Sequence, residues 1–194
     1  MTAPPRPTLR QEQQAATRQR LLDAARAAFL QAGFAGATVE QIISAANTSR
    51  ATFYLHFPNK TEALLATWRE RDLPEVDALF RRFDDAGDFS DAAARAWLAD
   101  VVEYWEVHGR VGQIALQVLA LEPELNASWV EGMVSVVEDM PKYRQAMGGG
   151  PRARAIALNH VIELERVLYF WTIGGLPTSR EDLVGALAHD WALR

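Results

Sequence analysis

The chain of 194 residues contains no cysteine, and this absence removes several kinds of chemistry at once. Disulfide bonds, thiol redox sensing and cysteine-based metal sites are excluded. The four histidines are scattered along the chain, and no pair has the spacing of metal ligands on one helix. The glycines at 148–150 form no phosphate-cradling loop between a strand and a helix. We therefore expect no metal, no cofactor and no enzyme active site.

Long apolar runs are also missing. No segment is apolar over the length needed to span a bilayer, and residues 1–18 lack the apolar core of a signal peptide. These absences lead us to expect a cytoplasmic protein without membrane contact. Alternating strand patterns and internal repeats are absent too, while apolar residues recur at helical spacing, which predicts an all-α fold.

The most informative segment covers residues 38–65 and reads TVEQIISAANTSRATFYLHFPNKTEALL. Thr38 can cap a helix while Gln41 reaches back to the amide of the cap. Asn47 tolerates the left-handed backbone that a sharp helix exit requires. Ser49 can cap the next helix. Two short helices joined by a tight polar turn predict a helix-turn-helix.

The second of these helices is predicted to have one buried and one exposed face. Phe53 and Phe57 recur four residues apart, so they should pack against the preceding helix. The exposed side chains combine a guanidinium for guanine edges, small or apolar groups for thymine methyls, and phosphate donors. They are Arg50, Ala51, Thr52, Tyr54, Leu55 and His56. Asn59 and Glu62 predict the start of a fourth helix beside Lys60.

The pattern T-V-x-x-I-x-x-x-A-x-x-S-R-A-T-F-Y-x-H-F-x-x-K resembles the DNA-binding domain of the TetR family of transcriptional regulators, over about residues 17–66. This resemblance implies phosphate contacts from Thr38, Ser49, Tyr54, His56 and Lys60. It also implies base reading by Arg50, Ala51, Thr52 and Leu55. The residues alone leave two alternatives open, because His56 could be a solvated surface histidine and Arg50 could hold a phosphate without reading sequence.

The first residues are rich in proline and arginine, which predicts a disordered arm over residues 1–16. Arg6 and Arg10 could take this arm into a minor groove, or the arm could be a plain floppy terminus. Helix one is predicted from Thr17 to Ala32, with Gly33 as its terminator.

Pro74 predicts a break and a domain boundary, with a DNA-binding domain at 17–73 and a second domain at 74–194. The formal net charge of −5 is divided unevenly between the two parts. Residues 1–72 hold nine Lys or Arg against six Asp or Glu, and residues 73–194 hold eleven against nineteen. An acidic body behind a basic head would orient the head toward DNA, and binding should weaken with salt.

Helical spacing continues through the second domain, which predicts an all-α fold. The resemblance implies that this fold is a three-helix helix-turn-helix DNA-binding domain joined to a helical ligand-binding and dimerisation domain. The predicted helices cover Ser90 to Val107, Val111 to Leu121, Pro123 to just before Pro141, Arg152 to Ile173, and a last helix that Ser179 and Asp182 open.

Five of the six tryptophans fall in the second domain, and core packing is one explanation for each of them. The resemblance implies another, since TetR-like proteins enclose a small-molecule pocket between these helices. The candidate ligand-binding residues are Trp97, Tyr104, Trp105, Trp129, Asn159 and Trp191. Trp97, Tyr104, Trp129 and Trp191 are similar in placement to the pocket aromatics of the subgroup that includes the ethionamide-resistance regulator. His160 and Glu163 could add polar groups, or His160 could lie at a dimer seam.

The hypothesis that follows is a homodimeric repressor bound to a palindromic operator in double-stranded DNA. The resemblance implies that the last two helices pair with those of a second subunit. An aromatic-lined pocket suits a small apolar or aromatic effector, which would favour a spacing of the two heads that no longer fits both grooves. The alternative is a dimer that binds DNA constitutively, as a global regulator or in control of replication or division, with a solid aromatic core.

Overall fold

The computed structural model describes residues 8–119 and 126–193, in which all regular structure is helical. Eleven α-helices lie in these residues: α1 (Leu9–Gly36), α2 (Val39–Ala45), α3 (Arg50–His56), α4 (Lys60–Thr67), α5 (Leu73–Ala86), α6 (Asp91–His108), α7 (Arg110–Leu119), α8 (Asn126–Glu138), α9 (Pro141–Ala146), α10 (Gly150–Thr172) and α11 (Arg180–Trp191). The predicted all-α fold is confirmed. In the described part of the chain, no helix is both long enough and apolar enough to cross a membrane.

The chain divides into two compact units, Met1–Glu70 and Arg71–Arg194. The break in the helical backbone that the sequence predicted at Pro74 is absent, because the backbone stays helical from α4 through a π-helical segment, Trp68–Asp72, into α5. Pro74 lies in the first turn of α5, where a missing N–H and a fixed φ are tolerated.

Helix α1 begins at Leu9 and not near Thr17, so residues 9–16 are helical where a disordered arm was expected. The reason is a capping box at Thr8. Its hydroxyl accepts the amide N–H of Gln11, and the Gln11 side chain accepts the amide N–H of Thr8. Arg10 is therefore part of the helix, and Arg6 lies outside the described residues.

At its other end α1 bends at Gly33, the predicted terminator, where φ is 66° and ψ is 179°. Only glycine adopts this conformation without steric cost. The other predicted helix starts agree closely with the structure, since Ser49, Asn59, Ser90 and Ser179 each accept a backbone N–H at a helix N-terminus. The start predicted at Pro123 lies outside the described residues, and α8 is described from Asn126.

The core of the first unit draws apolar side chains from all four of its helices. Phe53 and Phe57 are buried, with ring centroids 5.6 Å apart, which confirms their predicted place in the interior. Other large side chains that are fully or almost fully buried are Leu21, Leu22, Phe29, Ile42, Leu64 and Leu65. This packing fixes α3 against its neighbours, so its outward face has a defined composition.

The core of the second unit centres on a cluster of aromatic rings. Trp97 stacks on Phe83 with centroids 4.4 Å apart and lies 4.7 Å from Trp191, which in turn stacks on Tyr143. The polar atoms of the cluster are satisfied locally. Trp97 Nε1 donates to the carbonyl of Leu79 (3.0 Å), and the Tyr143 hydroxyl donates to that of Trp191 (3.1 Å). The rings therefore bury their area without leaving these donors unpaired.

Candidate nucleic-acid interface

The turn between α2 and α3 is built from local hydrogen bonds that the sequence indicated. Thr38 and Gln41 form the predicted capping box at the start of α2. Asn47 has a positive φ of 48°, as its predicted role at the helix exit requires. Ser49 Oγ then accepts the amide N–H of Thr52 (3.1 Å) and lies 2.8 Å from the Thr52 hydroxyl. Both ends of the turn are fixed, so α3 starts in one defined direction.

The outward face of α3 combines one cation with apolar side chains. Leu55 is 73% exposed and Tyr54 is 45% exposed, which is unusual for residues of this size. Arg50 and Ala51 are exposed beside them, whereas Thr52 and His56 are half-buried. A surface of this kind can offer apolar contact to thymine methyls and hydrogen bonds to guanine edges.

Arg50 does not extend freely into solvent. Its Nη1 donates to Oε1 of Glu40 in α2 at 2.5 Å, and its guanidinium carbon lies 5.8 Å from the centre of the Tyr54 ring. Hydrogen bonding with Tyr54 and the charge of Glu40 both raise the pKa of Arg50, so the guanidinium stays fully charged. Sequence reasoning missed Glu40, whose only local signal is an acidic residue in the first turn of a helix.

Lys60 is engaged with the protein, although the family resemblance implied a phosphate contact. Its Nζ donates to the carbonyls of Phe34 (2.6 Å) and Ala37 (2.8 Å) and lies 4.3 Å from the centre of the Phe34 ring. These bonds tie the start of α4 to the end of α1. Since an ammonium has three donors, one remains for a phosphate, and the phosphate contact stays a prediction.

Arg18 of α1 contacts both His56, at the end of α3, and Glu70, the last residue of the first unit. Its Nη1 donates to the carbonyl of His56 (3.2 Å), its Nε donates to Glu70 (3.2 Å), and its guanidinium lies over the Phe57 ring. Burial first, and the charge of Arg18 second, lower the pKa of His56. His56 is therefore neutral at pH 7, and a phosphate would meet a neutral imidazole N–H at this position.

A concave surface lies where the N-terminal part of α1 passes the end of α3. It is lined by Gln11, Gln14, Ala15, Arg18, Leu55 and His56. Three residues of its α1 side, Gln11, Gln14 and Ala15, belong to the segment expected to be an arm, so the helix adds side chains next to two of the predicted DNA contacts. Six of the predicted DNA-binding residues are exposed, namely Thr38, Ser49, Arg50, Ala51, Tyr54 and Leu55. The other three are half-buried, namely Thr52, His56 and Lys60.

Residues 21–67, which contain α2, α3 and the turn between them, match the family model described as "Bacterial regulatory proteins, tetR family". Over this segment the chain is similar to regulators of the TetR family. It is 37% identical over 71 residues to the "Probable acrEF/envCD operon repressor" of Escherichia coli strain K12, and 42% identical over 62 residues to the "HTH-type transcriptional regulator SrpR" of Pseudomonas putida. These matches cover 37% and 31% of this chain, and they span 31% and 29% of the two relatives.

The fold is shared over a longer stretch than the sequence. The fatty acid degradation regulator FadR from Bacillus halodurans aligns with a TM-score of 0.64 and 20% identity, covering 89% of this chain and 93% of that one. The matched family and relatives are regulators and not enzymes, which confirms the expectation on this point. The likeness to the ethionamide-resistance subgroup stays a prediction.

In the second unit, the six candidate ligand-binding residues do not form one group. Trp97 and Trp191 are buried in the aromatic cluster. Tyr104 is half-buried, and its hydroxyl donates to the carbonyl of Asp72 (3.3 Å). Asn159 is exposed on α10. Trp105 and Trp129 differ from these four, because each contacts a polar side chain on the inner face of α10.

Thr172 and Glu165 are the polar side chains in question, and sequence reasoning missed both. Trp105 Nε1 (3.3 Å) and Gln113 Nε2 (2.9 Å) donate to the Thr172 hydroxyl. Glu165 lies two turns earlier on the same helix, beside Trp129. Burial raises the pKa of Glu165 to about 7, with the Trp129 side chain acting in the opposite direction. Periodicity could have indicated the pair, since residues 165 and 172 share a helix face.

Proposed function

We propose that this protein is a sequence-specific, homodimeric transcriptional repressor that a small apolar or aromatic effector releases from a palindromic operator. The observation that carries the proposal is the outward face of α3, where exposed Tyr54 and Leu55 flank a charged Arg50. Large apolar side chains on a small helix are costly in water, and the edges of base pairs in a major groove would cover them.

Repression is supported by the relatives in which this segment recurs. One of them is described as a probable operon repressor. The distribution of charge supports binding to DNA, because residues 1–72 carry an excess of cations while the remainder is acidic. Such a field favours approach to DNA with the helix-turn-helix in front.

Dimerisation through the last two helices is supported by an apolar strip on α10. Ile162 and Phe170 are 43% and 48% exposed, and Ile173 lies one turn beyond them with similar exposure. Asn159 and Arg166 lie on the same face at helical spacing. A second copy of the chain would cover this strip. Two recognition helices would then read half-sites about 34–36 Å apart, which requires a palindrome.

Effector binding is supported by the polar groups among the aromatic residues of the second unit. Thr172, Gln113 and Glu165 offer hydrogen-bonding atoms next to Trp105 and Trp129, the combination that small-molecule sites use to orient an otherwise apolar ligand. An effector there would act by binding one conformation of the dimer more tightly than another.

The test is selection of randomised duplex DNA on the full-length protein at two salt concentrations, with sequencing of the retained pool. A sequence-specific dimer enriches a palindrome that persists at the higher salt. An unenriched pool, or retention that disappears with modest salt, contradicts the proposal because only counterion-driven affinity would remain.

A second candidate function is favoured by a separate observation, the close packing of Trp97 and Trp191 with Phe83 and Tyr143. These rings fill the interior of the second unit as a solid core does, which suits a dimer that binds DNA constitutively. Tryptophan fluorescence titrated with small apolar compounds separates the two functions. Saturable quenching supports an effector site beside Trp105 or Trp129, and an unchanged emission spectrum supports constitutive binding.

A further inference from the structure

Glu40 is an acidic side chain on the surface that would face a polyanion. It lies in the first turn of α2, and its side chain is 59% exposed. Its Oε1 accepts from Nη1 of Arg50, the first residue of α3, at 2.5 Å. A carboxylate at this position weakens attraction to phosphates, so its presence calls for a compensating role.

We propose that Glu40 is a specificity-determining residue, which positions the Arg50 guanidinium for a base edge and keeps it from binding phosphate. This inference rests on the proposed function, since it assumes that α3 enters a major groove. Glu40 need not touch the DNA, because it acts through Arg50.

The positioning argument follows from the number of donors on a guanidinium. Arg50 has five N–H groups in a planar fork, and Glu40 engages the Nη1 end while the Tyr54 ring flanks the side chain. The other N–H groups of the fork can donate to a pair of acceptors such as guanine O6 and N7. Both partners stand at capped helix starts, because Thr38 caps α2 and Ser49 caps α3. An arginine held in this way loses less side-chain entropy on binding than a free one.

The exclusion argument follows from charge. A phosphate that reached the Arg50 guanidinium would bring its oxygens close to the Glu40 carboxylate, and like charges repel. A guanine edge carries no net charge, so the same repulsion does not oppose base contact. Glu40 therefore weakens nonspecific complexes more than specific ones, and specificity depends on that difference.

The first experiment runs the DNA selection in parallel on wild-type protein, Glu40→Gln and Glu12→Gln, each as the full chain. Glu12→Gln also removes one negative charge from the first unit but leaves the Glu40–Arg50 pair intact, so it controls for the long-range field. We expect Glu40→Gln to lose sequence preference at one base pair in each half-site, while the control keeps the wild-type motif. Identical motifs for all three proteins overturn the role of Glu40 and leave the proposed function standing. A wild-type pool without a motif overturns both.

The second experiment measures affinity for the selected palindrome and for a scrambled duplex of the same composition, across a series of salt concentrations. Glu40→Gln should bind the scrambled duplex several-fold more tightly and reduce the ratio of the two affinities about tenfold. Its salt slope on scrambled DNA should steepen by about two for the dimer, because the Arg50 of each subunit gains a phosphate.

The same measurements are made in an Arg50→Ala background, where Glu40→Gln should no longer change the affinity ratio. A full effect in that background, or an equal shift on both duplexes, contradicts action through Arg50. Glu40→Ala, which also removes the hydrogen bond, should lower affinity for the palindrome as well. Thermal unfolding of each variant verifies that the helix-turn-helix remains folded.

Discussion

Burial raises the pKa of Glu165 to about 7, so this carboxyl on α10 changes charge within the neutral pH range. In the unfolded chain the same group titrates near its ordinary value, well below 7. The folded state therefore binds more protons between these two values. As pH rises between these two pKa values, Glu165 makes the free energy of folding progressively less favourable. Above the folded pKa this unfavourable contribution stays constant.

We predict that Glu165→Gln raises the free energy of unfolding by about 1–2 kcal/mol at pH 8, with a smaller gain at pH 5. The amide keeps the shape of the carboxyl beside Trp129, while the cost of a buried charge is removed. Urea unfolding at the two pH values measures the gain. Glu163→Gln, an exposed change on the same helix, should have little effect at either pH. A gain that is independent of pH would contradict this account.

Lys60 leads to a second prediction at the same scale, because its ammonium donates to two backbone carbonyls. Lys60→Met should lower the free energy of unfolding by about 1–3 kcal/mol, since the carbonyls of Phe34 and Ala37 lose a charged donor. Chemical unfolding measures this loss. Arg69→Met, which removes an exposed cation from the same unit, is the control. If Lys60 served only as a phosphate contact, Lys60→Met would weaken DNA binding and leave the unfolding free energy unchanged.

At the scale of the helix, the sequence could predict what depends on neighbouring residues. The caps at Thr38, Ser49 and Asn59 follow from hydrogen bonds between residues three apart, so the motif alone indicates them. The start of α1 obeys the same rule at Thr8, but the upstream prolines suggested disorder and the cap was overlooked. Helix boundaries that depend on local hydrogen bonds were therefore predictable. The start of α1 was the exception, because the proline-rich composition was given more weight than the cap at Thr8.

The contacts that tie helices together could not be predicted in this way. Arg18 contacts the carbonyl of His56, and Lys60 contacts that of Phe34, across separations of 38 and 26 residues. Neither partner is a side chain with a recognisable chemistry, because backbone carbonyls occur at every residue. The family resemblance implied that Lys60 contacts DNA, whereas the folded chain gives it an additional role within the protein.

Arg18 provides a prediction about the stability of α3 as a helix. Arg18→Met should remove the donor at the His56 carbonyl and the pairing with Glu70, so the last turn of α3 should open more often. Amide hydrogen exchange in α3 should accelerate several-fold, with a smaller change in α2. Arg20→Met, a change of the same type two residues away, should leave exchange in α3 as it is in the wild type. Unchanged protection in Arg18→Met would show that packing of Phe53 and Phe57 alone holds the helix.

For the whole molecule, the apolar strip on α10 predicts the oligomeric state. Phe170→Glu should raise the dimer dissociation constant about a hundredfold or more, because a charge would be buried without a partner between subunits. Sedimentation velocity at several concentrations measures this. Val107→Glu places the same charge at an exposed apolar position on α6 and should leave the dimer intact. Equal behaviour of both variants would place the subunit contact elsewhere.

The sequence could indicate the regulator family and the helical second unit, but not the division of its tryptophans. Trp97 and Trp105 occur on one helix two turns apart, yet Trp97 packs among other rings and Trp105 bonds to Thr172. Which side of α6 faces the aromatic core depends on how the helices of the unit pack, and helical spacing alone does not specify this. The candidate ligand-binding residues were chosen by residue type, and they therefore include both interior residues such as Trp97 and residues beside polar groups such as Trp105.

The close approach of Trp97 and Trp191, 4.7 Å between ring centroids, has an optical consequence. Two indoles at this separation exchange excitation energy faster than either emits. Light absorbed by one ring is then emitted from the other at a different orientation, and the polarisation of the emission falls without any movement of the side chains. A low fluorescence anisotropy in this protein would accordingly report the geometry of its interior, and it should not be taken as a sign of rapid tumbling or of a loose core.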